Sequence, residues 1–117
     1  MSAYIIVRVD IEDWDAYGEY MLHTPRVVAK FGGRFIARGG DMQTLEGPEE
    51  SLRLVLIEFP SLQHAEDFYE SDEYSEIKQI RADAGEAQFV AIDGYPADEW
   101  EQVLAESLAL LDDADTI

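Results

Sequence analysis

The sequence predicts an α+β domain, a four-stranded antiparallel sheet with its helices on one face. Three observations carry that expectation. The apolar period switches between two and about 3.6 in the order strand, helix, strand, strand, helix, strand. The two strand-helix-strand halves are of similar length. The chain has 117 residues and no cysteine, which suits one domain with one hydrophobic core and no disulfide framework.

The elements follow in order. Tyr4 to Val9 (YIIVRV) is β-branched and reads as a strand, with Tyr4, Ile6 and Arg8 on one face and Ile5, Val7 and Val9 on the other. Asp13 is placed to N-cap a helix whose stripe is Trp14, Tyr17, Met21, Val28 and Phe31. Pro25 falls inside it, where proline costs about 3 kcal/mol, so a kink or a restart after Thr24 is expected. Gly32-Gly33 ends the helix. Arg34 to Arg38 is the second strand, expected to continue through Asp41 to Leu45 past a bulge at Gly39-Gly40. Gly47-Pro48-Glu49-Glu50 is the hairpin loop, and Leu52 to Phe59, the most apolar strand, should be central. Ser61 caps a helix presenting Leu62, Ala65, Phe68 and Tyr69. Ser71-Asp72-Glu73 is a second cap, with acids in the first turn where the helix dipole favours them. Tyr74, Ile77 and Ile80 form the next stripe, and Gln88 to Ile92 is the last strand.

This order is that of a ferredoxin-like βαββαβ unit. It is expected to fill residues 1–95, with an acidic C-terminal helix and tail over 96–117. Pro96 opens that helix, Trp100, Val103, Leu104, Leu108 and Leu111 share a stripe that should pack on the domain or on a partner, and Asp112 to Asp115 should fray. Each strand offers apolar residues to both sides: Ile5 and Val7 against Tyr4 and Ile6, Val55 and Ile57 against Leu54 and Leu56. A sheet apolar on both faces needs a second cover. A second copy of the chain is the simplest, which predicts a homodimer with sheets face to face.

Charge narrows the partners. Twenty-six acids against eight bases give a net charge of −18, a field that repels nucleic acids and anionic membranes. Six of the eight bases are arginine, and from Ala97 onward there are seven acids and no base. Such a surface suits high salt, which screens self-repulsion, or a mesophile with an acidic tail. No apolar run approaches a membrane span, and Met1-Ser2-Ala3 leads directly into a strand, so a soluble cytoplasmic protein is expected.

Taken together the residues resemble the domain-of-unknown-function family 1330, within the dimeric α/β-barrel superfamily. The resemblance rests on the Tyr4-to-Val9 strand, Asp13 with Tyr17, Pro25-to-Phe31 running into Gly32-Gly33-Arg34-Phe35, and Arg38-Gly39-Gly40. Leu45-Glu46-Gly47, Ile57-Glu58-Phe59-Pro60-Ser61 and Phe68-Tyr69 leading to Ser71 and Tyr74 complete it. It implies the fold and, by analogy with cofactor-free oxygenases, isomerases and haem enzymes of the superfamily, a pocket between sheet and helices; it implies no common activity. Trp14, His23 and the acidic tail depart from the family pattern.

Two charged side chains carry the functional expectation. By strict alternation Arg34, Ile36 and Arg38 share the face opposite Phe35 and Ala37, and Glu58 shares a face with Leu54 and Leu56. Arg38 and Glu58 would then meet in one polar pocket, the guanidinium clamping a carboxylate, enolate or carbonyl oxygen while the carboxylate moves a proton. The alternative is a structural ion pair that fixes dimer geometry. Tyr17, Arg34, Tyr69 and Tyr74 are the expected binding residues around this catalytic pair, with no cofactor. Tyr17, Tyr20, Tyr69 and Tyr74 sit on helical stripes, and buried tyrosines with an edge hydroxyl are the plainer reading of all four. Gly39-Gly40 could offer amides to an anion, but a bulge alone explains the pair. His23 and His64 are far apart, and His64 with Asp67 lacks a third ligand, so no metal is assigned. The expected function is binding of, or cofactor-independent action on, a small organic acid or carbonyl compound, or else a non-catalytic binding or interaction module.

Overall fold

The computed structural model describes residues 2–115. Its elements run β1 (Ala3–Ile11), α1 (Trp14–Lys30), β2 (Arg34–Arg38), β3 (Arg53–Phe59), α2 (Leu62–Glu70), α3 (Asp72–Ala82), β4 (Gly85–Asp93) and α4 (Ala97–Asp115). The four strands form one antiparallel sheet in the order β2-β3-β1-β4, so the two apolar strands β1 and β3 are central.

Capping sets the helix boundaries. Asp13 Oδ1 accepts from the Asp15 and Ala16 amides at 3.0 and 3.2 Å, satisfying donors the first turn leaves free. At the other end Gly32, with φ +81°, gives its N–H to Ala29, and Gly33 gives its own to Val28 at 2.9 Å. These paired bonds close the helix as a Schellman turn, in which a left-handed residue avoids the Cβ penalty only as glycine. Ser61 and Ser71 cap α2 and α3 through the amides of His64 and Tyr74, at 3.1 Å each.

The core lies between the helices and one sheet face. Ile5, Val7 and Val9 of β1 and Val55, Ile57 and Phe59 of β3 alternate inward against Tyr17, Tyr20, Val27 and Val28 of α1, Phe68 of α2, and Tyr74 and Ile77 of α3. Phe59, Phe68 and Tyr74 are its largest fully buried side chains, and burial of each aromatic contributes on the order of 1.5–3 kcal/mol. The opposite face is half covered. Ile36, Val90 and Ile92 are 42–52 % exposed there, beside partly buried Tyr4, Ile6, Leu54 and Leu56.

Several expectations need correction. Helix α1 passes Pro25 without interruption. Trp14 is 59 % exposed, and Tyr20 and Thr24 take places on the buried stripe instead. The second strand stops at Arg38 because Gly39 turns at φ +66°, in the left-handed region, so Asp41 to Leu45 is irregular loop. Helix α4 runs through Asp115, and within the chain no other element packs closely on it among the described residues, so its stripe does not pack on the domain. Trp100, Val103, Leu104, Leu108 and Leu111 are all at least 41 % exposed. No helix among the described residues is long and apolar enough to cross a membrane.

Candidate functional site

The site begins with a missing hydrogen. Pro25 has no N–H, so the carbonyl four residues earlier, that of Met21, has lost its helical donor. Arg38 supplies the replacement: its Nη2 donates to the Met21 oxygen at 2.8 Å and to Thr24 Oγ1 at 3.3 Å. The Thr24 hydroxyl donates to the same carbonyl at 3.4 Å. The guanidinium lies 4.3 Å from the Phe35 ring centre, within cation–π range. A proline on α1 thereby fixes an arginine on β2.

Register explains how Arg38 arrives there. Arg34 pairs with Glu58 and Phe35 with Ile57, but Ala37 pairs with Leu56 and Arg38 with Val55, which leaves Ile36 as an extra residue. Each such bulge reverses the faces beyond it. Arg34 therefore points to the outer face while Arg38, opposite buried Val55, points toward the helices.

Under Arg38 is a cavity with about 20 Å³ of room for the centres of water-sized molecules, walled by Tyr17, Tyr20, Met21, Thr24 and Phe35 above apolar residues of the inner sheet. That admits about one water. Behind the wall the Tyr20 and Tyr74 hydroxyls share a buried hydrogen bond of 2.7 Å. Burial pushes both phenols above their ordinary value; the Tyr74 oxygen raises Tyr20 further, whereas the bond from Tyr20 works against the rise in Tyr74. Both are therefore hydrogen-bonding groups and not bases at neutral pH. Arg81, only 7 % exposed, has its guanidinium 5.6 Å from the Tyr20 ring and 5.1 Å from that of Phe89. Burial works against its charge, but the two phenol oxygens outweigh it and hold its pKa above the usual arginine value.

Arginine chemistry on this side of the sheet is unusual for so acidic a chain. Ion pairs among the described residues engage Arg8 with Glu50, Lys30 with Glu73, and Arg34 with Glu58, and His23 Nε2 lies 3.3 Å from Glu19 Oε1. Arg38, Arg53 and Arg81 have no carboxylate partner among them. All three project between sheet and helices.

The expected site residues thus divide. Arg38 and Tyr17 meet at the cavity. Glu58 does not join them: it lies on the outer face, where its Oε1 accepts from Arg34 Nε at 3.0 Å, so the expected Arg38–Glu58 pocket is corrected by the bulge. Tyr74 is fully buried and bonds to Tyr20, so it backs the cavity wall without lining it. Tyr69 lines a separate groove between α2 and β4, and its hydroxyl accepts from Lys78 Nζ at 2.8 Å. His64 Nδ1 lies 2.6 Å from Ser61 Oγ, and Asp67 accepts from Gln63, so that helical pair is engaged elsewhere. Among the described residues no three metal-binding side chains converge. Sequence reasoning missed Thr24, Arg53 and Arg81, and read Tyr20 only as a core tyrosine. Two carried a readable signal: inward Val55, Ile57 and Phe59 put Arg53 inward by period two, and Arg81 is one turn past Ile77 on the stripe of Tyr74.

The sheet order and the helices on one face define a ferredoxin-like α+β protein. The chain belongs to the family described as Domain of unknown function (DUF1330), which matches residues 2–95. No curated protein matches it. Among solved structures, a protein of unknown function from Rhodopseudomonas palustris is similar at 17 % identity and TM-score 0.65, over 81 % of this chain and 83 % of that one. A dimeric ferredoxin-like protein of unknown function from Jannaschia is similar at 11 % identity and TM-score 0.59, over 80 % and 100 %. SnoaB, described as a cofactor-independent oxygenase from Streptomyces nogalater, is similar at 10 % identity and TM-score 0.51, over 82 % and 95 %. At these identities the likeness is one of fold.

Proposed function

We propose that this chain binds a small organic acid or carbonyl compound between α1 and the sheet, as a homodimer whose outer sheet faces pack together. Arg38 carries the reading. In a chain of net charge −18 it stands free of carboxylates, held at the Met21 carbonyl through Nη2, beside a cavity with aromatic walls. A guanidinium has five N–H groups, so with Nη2 engaged the Nε–H on one side and the Nη1 protons on the other remain to donate singly to an oxyanion. Tyr17 and Tyr20 supply the walls, with the Tyr20 hydroxyl held behind them in its bond to Tyr74. Room for one water means that an organic ligand enters only with displacement of Arg38 or of α1.

The dimer rests on Ile36, Val90, Ile92 and their neighbours, an apolar face that water does not favour, and on similarity to a protein described as dimeric. In this reading Arg34 and Glu58 are the structural pair that fixes the interface. Chemistry without a cofactor, as described for the Streptomyces nogalater protein, is the catalytic form of the proposal. One observation favours the non-catalytic form: neither a carboxylate nor an imidazole lines the cavity, so a general base is missing from it.

Co-crystallisation with a mixture of small carboxylates and keto acids tests the site. The expected result is density under α1 against Arg38; an unliganded cavity with density elsewhere overturns it. Ultracentrifugation tests the assembly, and a folded monomer at micromolar concentration rejects the homodimer.

A further inference from the structure

A second recess opens beyond the cavity and shares no lining residue with it. Trp14, Gly39, Gly40, Met42 and Arg53, with the end of β1, line an open recess of about 340 Å³, within the size range of small-molecule sites. Arg53 is its cationic wall. Its Nε is shut away from solvent without a partner. Its Nη2 donates to the Met21 sulfur at 3.5 Å, a weak acceptor, and reaches the Arg38 carbonyl only at the 3.5 Å limit of a hydrogen bond. The guanidinium lies 6.0 Å from the ring of Trp14, which is 59 % exposed, and 5.7 Å from that of Tyr17. Gly39 is favoured here by its φ of +66°, and the Arg53 guanidinium lies against it, where a Cβ would push that flexible end aside. Asp10, the one acid on the wall, lies on the outer face of β1, whereas Arg53 pairs with Val9 on the inner face.

We propose that this recess binds a small aromatic carboxylate, its oxygens on Arg53 and its ring against Trp14 and Met42. Charge complementarity selects the occupant. A guanidinium with no carboxylate partner is a local attraction inside a field that otherwise repels anions, and its Nη groups, not the buried Nε, are what an oxyanion in the recess would meet. An exposed indole beside it adds a flat apolar surface that suits a ring and gives an aliphatic acid little. The site stands independently of the proposal for Arg38.

Titration of the full chain with benzoate, followed by ¹H–¹⁵N NMR of the arginine Nε–H and indole N–H signals, tests the proposal. Saturable shifts are expected at Arg53 and Trp14, with benzamide, the uncharged counterpart, binding at least about tenfold more weakly. Arg53→Gln should abolish the shift at Trp14. Gly40→Asp serves if that variant fails to fold: a Cβ at Gly40 meets only open space, and the new carboxylate should weaken benzoate about tenfold at low ionic strength. Benzamide equal to benzoate, an indifferent Gly40→Asp variant, or shifts confined to other arginines would each overturn the assignment.

Discussion

Removing the Arg38 side chain strands a carbonyl that no backbone amide can reach, because its natural donor position is Pro25. A hydrogen bond from a charged donor contributes about 1.5–3 kcal/mol, and an exposed cation–π contact about 0.5–1 kcal/mol. Arg38 is exposed, so water recovers part of the first contribution. We expect Arg38→Ala to cost about 2 kcal/mol, a fall in urea midpoint of roughly 1 M for a typical denaturant slope. Pro25→Ala restores the missing N–H to Met21. In that background Arg38→Ala should lose only the contact with Phe35 and the long bond to Thr24, under about 1 kcal/mol together, which leaves a coupling of about 1–1.5 kcal/mol between two residues that do not bond to each other. Urea unfolding of the four proteins at one protomer concentration measures it. Additivity within about 0.5 kcal/mol would refute the account of how α1 tolerates its proline.

Tyr74→Phe should cost about 1–2 kcal/mol by leaving the Tyr20 hydroxyl unpaired, and adding Tyr20→Phe should cost less than the sum; equal additivity denies a shared bond. Burial raises both phenols above the unfolded value of 10.0, so their contribution is intact below pH 10 and declines as pH climbs past it, by about 1.4 kcal/mol per tyrosine per unit; circular dichroism flat to pH 12 would contradict this. The acid excess predicts a melting temperature that increases with salt, and no response would argue against surface repulsion. Deletion of residues 97–117 should leave the sheet and its three helices folded, since no other element packs closely on α4; loss of the thermal transition would show that its apolar stripe is needed.

Most of the fold was legible because its signals are local. Period-two runs in β1 and β3, serine caps at Ser61 and Ser71 and the Gly32-Gly33 stop each act within a few residues. The site was legible only in part. Tyr17 and Arg38 were read as site residues and meet at the cavity, but Glu58 was joined to the wrong arginine. A bulge was expected in this strand, yet at Gly39-Gly40, where glycine advertises it; it occurs at Ile36, which carries no such mark. The contact between Arg38 and Met21 is equally silent along the chain, since it links the vacancy left by a proline to a residue on another element.

The residues by themselves determined the order of elements, their caps and the inward faces of the central strands, because propensity and apolar spacing act over one turn or one pleat. Only the tertiary structure decided which arginine faces the helices. Strand register is chosen by the packing of whole faces, and a single extra residue between Phe35 and Ala37 turned Arg38 inward while Arg34 stayed with Glu58 outside.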